Sequence, residues 1–174
     1  YQQILPWRDA SPAIVEWWGG QQRNFGKVQE YFGLEGAVVM AILHPGEWQN
    51  VMRLDGSYCG GSYIVHEDVL YCHLPSGRKL AYHRPRLRQT GTWRGYAISF
   101  EGWNTNAKKG PPGWMTMDLY GGLLAENVTQ AVARDVQRNA INEAEDNNYP
   151  LVLHVYDEDV ADCLLPVTGL ERIM

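Results

Sequence analysis

The sequence lacks the features of membrane and secreted proteins. No run of about 18 apolar residues occurs, which argues against a membrane-spanning helix, and no signal peptide is visible. The three cysteines, Cys59, Cys72 and Cys163, are odd in number and lack the spacing of a metal site. We therefore expect reduced thiols, no membrane partner and a cytoplasmic location in a bacterial host.

Internal repeats and low-complexity tracts are also missing, and the first residue is Tyr1 rather than Met. A processed or cropped chain is the simple interpretation of that start. With 45% hydrophobic and 20% charged residues, the composition is that of an ordinary globular protein. Seven Trp and ten Tyr are a heavy aromatic load, which favours either core packing and loop anchoring or base stacking.

Charge is unevenly distributed along the chain. The net charge is −5, yet eight of the fifteen Lys and Arg fall between Arg78 and Lys109, where Glu101 is the only acid. From Asp118 onward lie eleven of the twenty acids. A basic stretch beside an acidic one suits phosphate binding next to a cation site, although an unevenly charged solvated surface gives the same pattern.

The first two thirds of the chain predict short helices followed by strands. Ser11 and Pro12 are typical of a helix start, which predicts a helix to Trp18. A second helix is expected from Gln21 to Tyr31. Alternating runs over 61–65, 69–74 and 79–82 predict strands, with a hairpin turn at 75–77 and a polar loop over 104–113.

The strongest periodic signal predicts a helix over 123–147. Its apolar residues recur every four positions and predict a buried stripe; they are Leu124, Val128, Val132, Val136 and Ala140. A polar stripe on the same helix is either a solvent face or a nucleic-acid contact; it comprises Asn127, Gln130, Arg134 and Arg138. Basic residues also alternate with Pro85 and Leu87 in the run Arg84, Arg86 and Arg88. This pattern indicates either a strand that contacts the nucleic-acid backbone or a solvent-exposed edge.

Two apolar runs between 151 and 165 flank the adjacent acids Asp157 and Glu158. This pattern predicts an antiparallel hairpin with an acidic tip. Adjacent carboxylates repel one another unless a cation or a hydrogen-bond network holds them, so the tip is either a mobile turn or a site for Mg²⁺. The last residues, 170–174, are expected to lie within a helix.

Several segments resemble phage-type family A DNA polymerases. The run 118–135 is similar to that family's helix signature, Tyr-Gly-Gly-Lys-Leu-x-Glu-Asn-x-x-Gln-Ala-x-Ala-Arg-Asp. Pro150 to Glu158 resembles the strand leading into the family's third catalytic motif, Val-His-Asp-Glu. Further similar segments follow the family's order, at 7–18, 74–78, 84–87 and 170–174, whereas 33–60 matches nothing.

The resemblance implies DNA-directed DNA synthesis by two-metal catalysis. Asp157 would hold Mg²⁺, Glu158 would assist beside the primer end, and Gln130 would contact the minor groove of the newly paired duplex. It further implies primer-template DNA and deoxynucleoside triphosphates as partners. The residues implied in catalysis are Tyr156, Asp157 and Glu158, and those implied in DNA binding are Asn127, Gln130, Arg134, Arg84 and Arg86.

The sequence also departs from the family pattern. Tyr156 replaces the family's His, Leu123 replaces its Lys, and the first motif with the other metal-binding aspartate is not found. We therefore expect a missing N-terminal polymerase portion, in cis or as a split subunit, and an isolated chain that is inactive. A catalytically dead remnant that binds duplex DNA is the alternative, and an unrelated interaction domain is a third possibility.

These observations predict an α+β fold, part of a right-hand polymerase. Residues 1–117 would form the fingers side and connecting region. Residues 118–174 would form the palm portion, with the long helix and the acidic hairpin.

Overall fold

The computed structural model describes residues 4–24, 27–89 and 96–162. It contains both helices and antiparallel sheets. The helices are α1 (Ile4–Ala10), α2 (Pro12–Trp18), α3 (Gly33–Leu43) and α4 (Gly121–Asp146). The strands are β1 (Gly20–Asn24), β2 (Lys27–Phe32), β3 (Gln49–Met52), β4 (Tyr58–His66), β5 (Val69–His73), β6 (Lys79–Gln89), β7 (Tyr96–Asn104), β8 (Gly113–Leu119), β9 (Leu151–Val155) and β10 (Glu158–Ala161).

The chain forms two compact units, Tyr1–Gln130 and Ala131–Met174. The boundary falls within α4, so one continuous helix contributes to both units. This division is by compactness; the assignment of residues 1–117 to fingers and 118–174 to palm stays a prediction. No helix among the described ranges is both long and apolar enough to cross a membrane.

A six-stranded antiparallel sheet dominates the first unit, with the strands in sequence order from β3 to β8. Strands β5 and β6 are joined by the predicted short turn, in which Gly77 N–H donates to the Leu74 carbonyl at 2.9 Å. One face, the inner face, is buried. Its core side chains are Val51, Tyr63, Val65, Leu70, Cys72, Tyr82, Ile98 and Leu119.

Helix α3 covers the inner face and was not predicted. Its sequence is almost entirely apolar, so it shows no helical alternation of polar and apolar residues. A helix that is apolar on all sides belongs in the core, and Leu34, Val38 and Val39 are fully buried. The strands predicted at 61–65, 69–74 and 79–82 are confirmed as β4, β5 and β6.

The helix predicted from Gln21 to Tyr31 is wrong. Residues 20–24 and 27–32 instead form β1 and β2, which pair from Gly20 opposite Phe32 to Asn24 opposite Lys27. Pairing between the two strands satisfies backbone groups that a helix would satisfy internally, and it overrides the helix propensity of the Gln, Lys and Glu residues in this segment. The helix predicted from Pro12 to Trp18 is confirmed as α2.

The long helix is confirmed, since α4 runs from Gly121 to Asp146. Its predicted buried stripe is only partly correct. Leu124 is fully buried, but Val136 is 64% exposed and Ala140 is also exposed. The last buried residue of α4 is Ala131, so burial is confined to the first part of the helix. The helix expected at 170–174 lies outside the described residues.

Two contacts determine where α4 begins. The Gly121 N–H donates to a Glu35 carboxylate oxygen of α3 at 3.0 Å, which satisfies one of the unpaired amides of a helix start. A Cβ atom at Gly121 would lie 2.4 Å from the carbonyl oxygen of Trp18 in α2. Glycine is therefore needed at this close approach, which explains the first Gly of the Tyr120-Gly121-Gly122 sequence by packing.

We predict that Gly121→Ala lowers the free energy of unfolding by about 1–3 kcal/mol, because the added methyl group must displace backbone atoms of Trp18. Gly122→Ala is the matched control, since its Cβ would meet side-chain atoms alone, the Tyr120 ring at 3.3 Å and the Trp18 ring at 4.0 Å. That control should be neutral or stabilising, as alanine favours helix. Urea denaturation measures both. Equal stability of the two variants would show that the contact with Trp18 is unimportant.

Candidate functional site

Asn127, predicted to contact DNA, lies where α4 meets the inner face of the sheet. Its side-chain amide donates to the Tyr82 hydroxyl at 3.2 Å. Burial of Tyr82 raises the pKa of its hydroxyl to about 12, and the bond from Asn127 partly offsets that rise. Asn127 therefore secures α4 to β6, a packing role that the sequence pattern did not indicate. Its contact with DNA stays a prediction.

Gln130 and Arg134 lie at exposed positions of α4. The Gln130 amide donates to the Glu126 carboxylate one turn earlier at 3.2 Å, within the first unit. Such a pair on a helix surface contributes only a few tenths of a kcal/mol. Gln130 can therefore exchange this bond for one to a ligand at small cost. Arg134 belongs to the second unit.

Arg84 and Arg86, also predicted to bind DNA, lie on β6 and are both paired with acids. Arg84 contacts Glu101 of β7 at 2.7 Å, and Arg86 contacts Asp68 in the turn between β4 and β5 at 2.9 Å. The hydrogen bond from Arg86 lowers the pKa of Asp68. Both arginine side chains are more than half exposed, so these pairs contribute little to stability.

The predicted basic and polar groups of the first unit are not all brought together. Arg86 lies opposite Ser99 in the register of β6 and β7, on the exposed side of the sheet. Asn127 bonds to Tyr82 on the buried side. The two residues therefore lie on opposite faces, and a single bound strand cannot contact both across the sheet.

The acidic hairpin is confirmed in the second unit. Strands β9 and β10 pair from Val155 opposite Glu158, and Tyr156 and Asp157 form the turn. Asp157 and Glu158 are exposed, and neither carboxylate is paired with another described residue. Tyr156 is 88% exposed and has a φ of 54°. Residues other than glycine adopt this backbone conformation at a cost in free energy.

Three residues that support the tip were missed by sequence reasoning. The Gln137 amide of α4 donates to the Tyr156 backbone carbonyl at 2.6 Å. Nδ1 of His154 lies 3.0 Å from a carboxylate oxygen of Asp159, the residue opposite it. The same Nδ1 lies 3.3 Å from the Gln137 amide nitrogen, so it faces both a donor and an acceptor. No local pattern signals these contacts, because each joins residues on different elements.

The tip has the donor type that Mg²⁺ prefers, since Asp157 and Glu158 offer carboxylate oxygens. Within residues 4–24, 27–89 and 96–162, however, no group of three or more His, Cys, Asp or Glu side chains is gathered to hold a metal ion. Two carboxylates suffice for a magnesium site only when phosphates or further carboxylates complete it. The arrangement fits part of such a site.

The chain is related to a DNA polymerase. It is 30% identical over 170 residues to the DNA polymerase of Bacillus phage SP02, a similarity that covers 98% of this chain. The chain spans only 22% of the length of that relative. No family model matches the chain. No solved structure matches it either.

We predict that Tyr156→Gly stabilises the β9–β10 hairpin, because glycine adopts a positive φ without the free-energy cost that Tyr156 has. The gain should be about 1 kcal/mol, read as slower amide hydrogen exchange in β9 and β10. Val160→Gly in β10 is the control, and it should speed exchange because a strand glycine weakens pairing. Faster exchange in Tyr156→Gly would mean that the tyrosine ring stabilises the turn.

We also predict a loss of stability at high pH through Tyr82. Its folded pKa of about 12 exceeds the ordinary 10.0, so its contribution is full below pH 10 and is lost as pH rises toward 12. Between pH 9 and 11 the linked loss is roughly 1 kcal/mol. Tyr82→Phe should remove that part of the pH dependence, as measured by urea denaturation at both pH values. An unchanged slope would exclude Tyr82 as the linked group.

Proposed function

We propose that this chain is part of a family A DNA polymerase of the right-hand type. In this proposal residues 1–117 lie on the fingers side and 118–174 belong to the palm. The reaction would transfer a nucleotide to a primer 3′-hydroxyl, with primer-template DNA and deoxynucleoside triphosphates as partners. The relationship to a phage DNA polymerase over nearly the whole chain supports the class, and the acidic tip supports the reaction type.

The observation that carries the proposal is the pair of adjacent exposed acids at the end of a tight hairpin. Like charges placed side by side repel. Asp157 occupies a turn position, which favours Asp, whereas Glu158 begins β10 beside it. A bound hard cation such as Mg²⁺ would offset this repulsion between the two carboxylates. Asp157 and Glu158 would hold Mg²⁺, which when bound would activate the primer hydroxyl and stabilise the leaving oxygens.

The other residues would position the nucleic acid. The exposed Tyr156 hydroxyl can donate to the primer backbone, as the His at this position would in the family pattern. Gln130 offers an amide suited to base edges in the minor groove, and Arg134 offers a guanidinium suited to phosphate. Gln137, through its bond to the Tyr156 carbonyl, would keep the acidic turn in one orientation.

A polymerase remnant that binds duplex DNA without catalysis is the second candidate. The observation in its favour is Tyr156, which lacks the imidazole of the family pattern and has a positive φ. In that case Asp157 and Glu158 would be a solvated turn. Binding of duplex DNA without nucleotide incorporation by any polymerase carrying this segment would distinguish this candidate.

We predict that the 174-residue chain alone extends no primer, because one pair of carboxylates leaves two-metal catalysis incomplete. A chimera in which this chain replaces the matching part of the Bacillus phage SP02 polymerase should extend a primer. Asp157→Asn in that chimera should lower the rate of synthesis more than about 100-fold, since a metal ligand is lost. Primer extension on gels, with Mg²⁺ present, measures all three.

Asp162→Asn is the matched control, because Asp162 is an exposed carboxylate of the same hairpin region but lies away from the turn. Its rate should stay within about twofold of the unchanged chimera. Near-normal synthesis by Asp157→Asn would remove Asp157 from the active site. Incorporation by the isolated chain would contradict the need for an additional polymerase portion.

A further inference from the structure

The face of the six-stranded sheet that lies opposite the inner face is open over strands β5 to β8; we call it the outer face. Its side chains alternate along each strand with the buried ones. Arg84 and Arg86 of β6 are already predicted to bind DNA, but the aromatic side chains of this face have no role in the catalytic proposal. The outer face carries Tyr71, His73, Lys79, His83, Arg86, Arg88, Glu101, Trp103, Trp114, Thr116 and Asp118.

Two tryptophans stand at the centre of this surface. Trp103 of β7 and Trp114 of β8 lie directly opposite one another, and they are 55% and 59% exposed. Their ring centroids are 6.2 Å apart in an edge-to-face arrangement. The His83 ring meets Trp114 edge-on at 5.5 Å. Exposed neighbouring indoles that bury little surface in the fold are typical of a binding site.

A cleft adjoins these rings. Its volume is about 430 Å³, within the range of sites that bind small organic groups. Val69 and Trp114 give it apolar walls. Its charged lining consists of one cation and three carboxylates, Arg84, Glu67, Asp68 and Glu101. A flat heterocycle can therefore stack on an indole while its polar edge meets charged groups.

Aromatic rings continue along the outer face beyond this cluster. His73 of β5 contacts Trp48 edge-on at 4.4 Å. The Lys79 ammonium lies 5.6 Å from the centre of the Tyr71 ring. In the register, His73 lies opposite Lys79, so both ring groups belong to the same face. The surface thus offers rings at several points across β5 to β8 rather than at a single pocket.

Basic groups accompany the rings. Lys79, Arg86 and Arg88 lie on the outer face, together with the carboxylates of Glu101 and Asp118. The ion pairs of Arg84 and Arg86 are exposed, so phosphate can compete for these guanidinium groups at small cost. Rings interleaved with cations complement a strand whose bases are unpaired.

We propose that the outer face binds single-stranded DNA. Bases would stack on Trp103, Trp114 and the neighbouring rings, while β6 contacts phosphates. A duplex cannot use these rings, because its base faces are already stacked on one another. The stacking argument is independent of the catalytic proposal; only the choice of DNA over RNA rests on it.

The test is fluorescence anisotropy of a labelled oligo-dT with the full 174-residue chain. We expect Trp103→Ala/Trp114→Ala to raise Kd at least roughly tenfold, because each ring contributes stacking energy. Trp7→Ala is the matched control: Trp7 is an exposed indole on α1 that stacks on Trp18, away from the sheet, and its Kd should be unchanged. Circular dichroism checks that each variant folds.

A second variant preserves the test if the double variant does not fold. Arg88→Ala keeps the rings and removes one cation from β6. Its plot of log K against log salt should be shallower by about 0.7, the value for one phosphate contact on a single strand. Its circular dichroism should match that of the unchanged chain.

Four results would overturn the proposal. The first is an oligo-dT affinity that is unchanged in the double variant, and the second is tighter binding to duplex DNA or to oligo-rU than to oligo-dT. The third is an equal loss of affinity in Trp7→Ala. The fourth is a chain that binds no oligonucleotide but forms a dimer that the double variant dissociates. Oligo-dT binding is measured on the 174-residue chain and primer extension on the chimera. Failure of catalysis and failure of this surface are therefore separate outcomes.

Discussion

The structure of the first unit depends on covering one face of the six-stranded sheet. Helix α3 does this with side chains that are apolar on all sides, and the first turns of α4 complete the cover. Burial of aliphatic side chains such as Leu34 and Leu124 contributes about 1.5–3 kcal/mol each. The Gly121 contacts determine where α4 starts. The positions of Asn127 and Gln130 therefore depend on this packing and not on helix propensity alone.

The elements that were predictable are those with a local periodic signal. The four-residue repeat of α4 and the two apolar runs around Asp157 each show their structure within a single segment. Helix α3 shows none, since a wholly buried helix has no polar face to generate a period. Strands β1 and β2 are held by pairing with each other, so propensity alone favoured the wrong structure. The exposure of Val136 likewise depends on how far the neighbouring core extends.

The candidate site divides in the same way. Adjacent acids between two apolar runs were enough to predict that Asp157 and Glu158 lie at a tip. Their support by Gln137 joins residues 19 positions apart and could not be predicted without the fold. The partner of Asn127 was hidden for the same reason, because Tyr82 is 45 positions away. A polar stripe on a helix therefore indicates where hydrogen bonds are made but does not identify the partner.

The sequence left two roles open for the many aromatic residues, core packing and base stacking, and the structure contains aromatic residues suited to each. Tyr63 and Tyr82 are buried in the core, whereas Trp103 and Trp114 stand in solvent on the outer face. With a net charge of −5, the chain as a whole repels polyanions at long range. Binding of nucleic acid therefore depends on short-range contacts, such as those proposed for the outer face and for Gln130 and Arg134. Stacking of bases on exposed rings is such a contact.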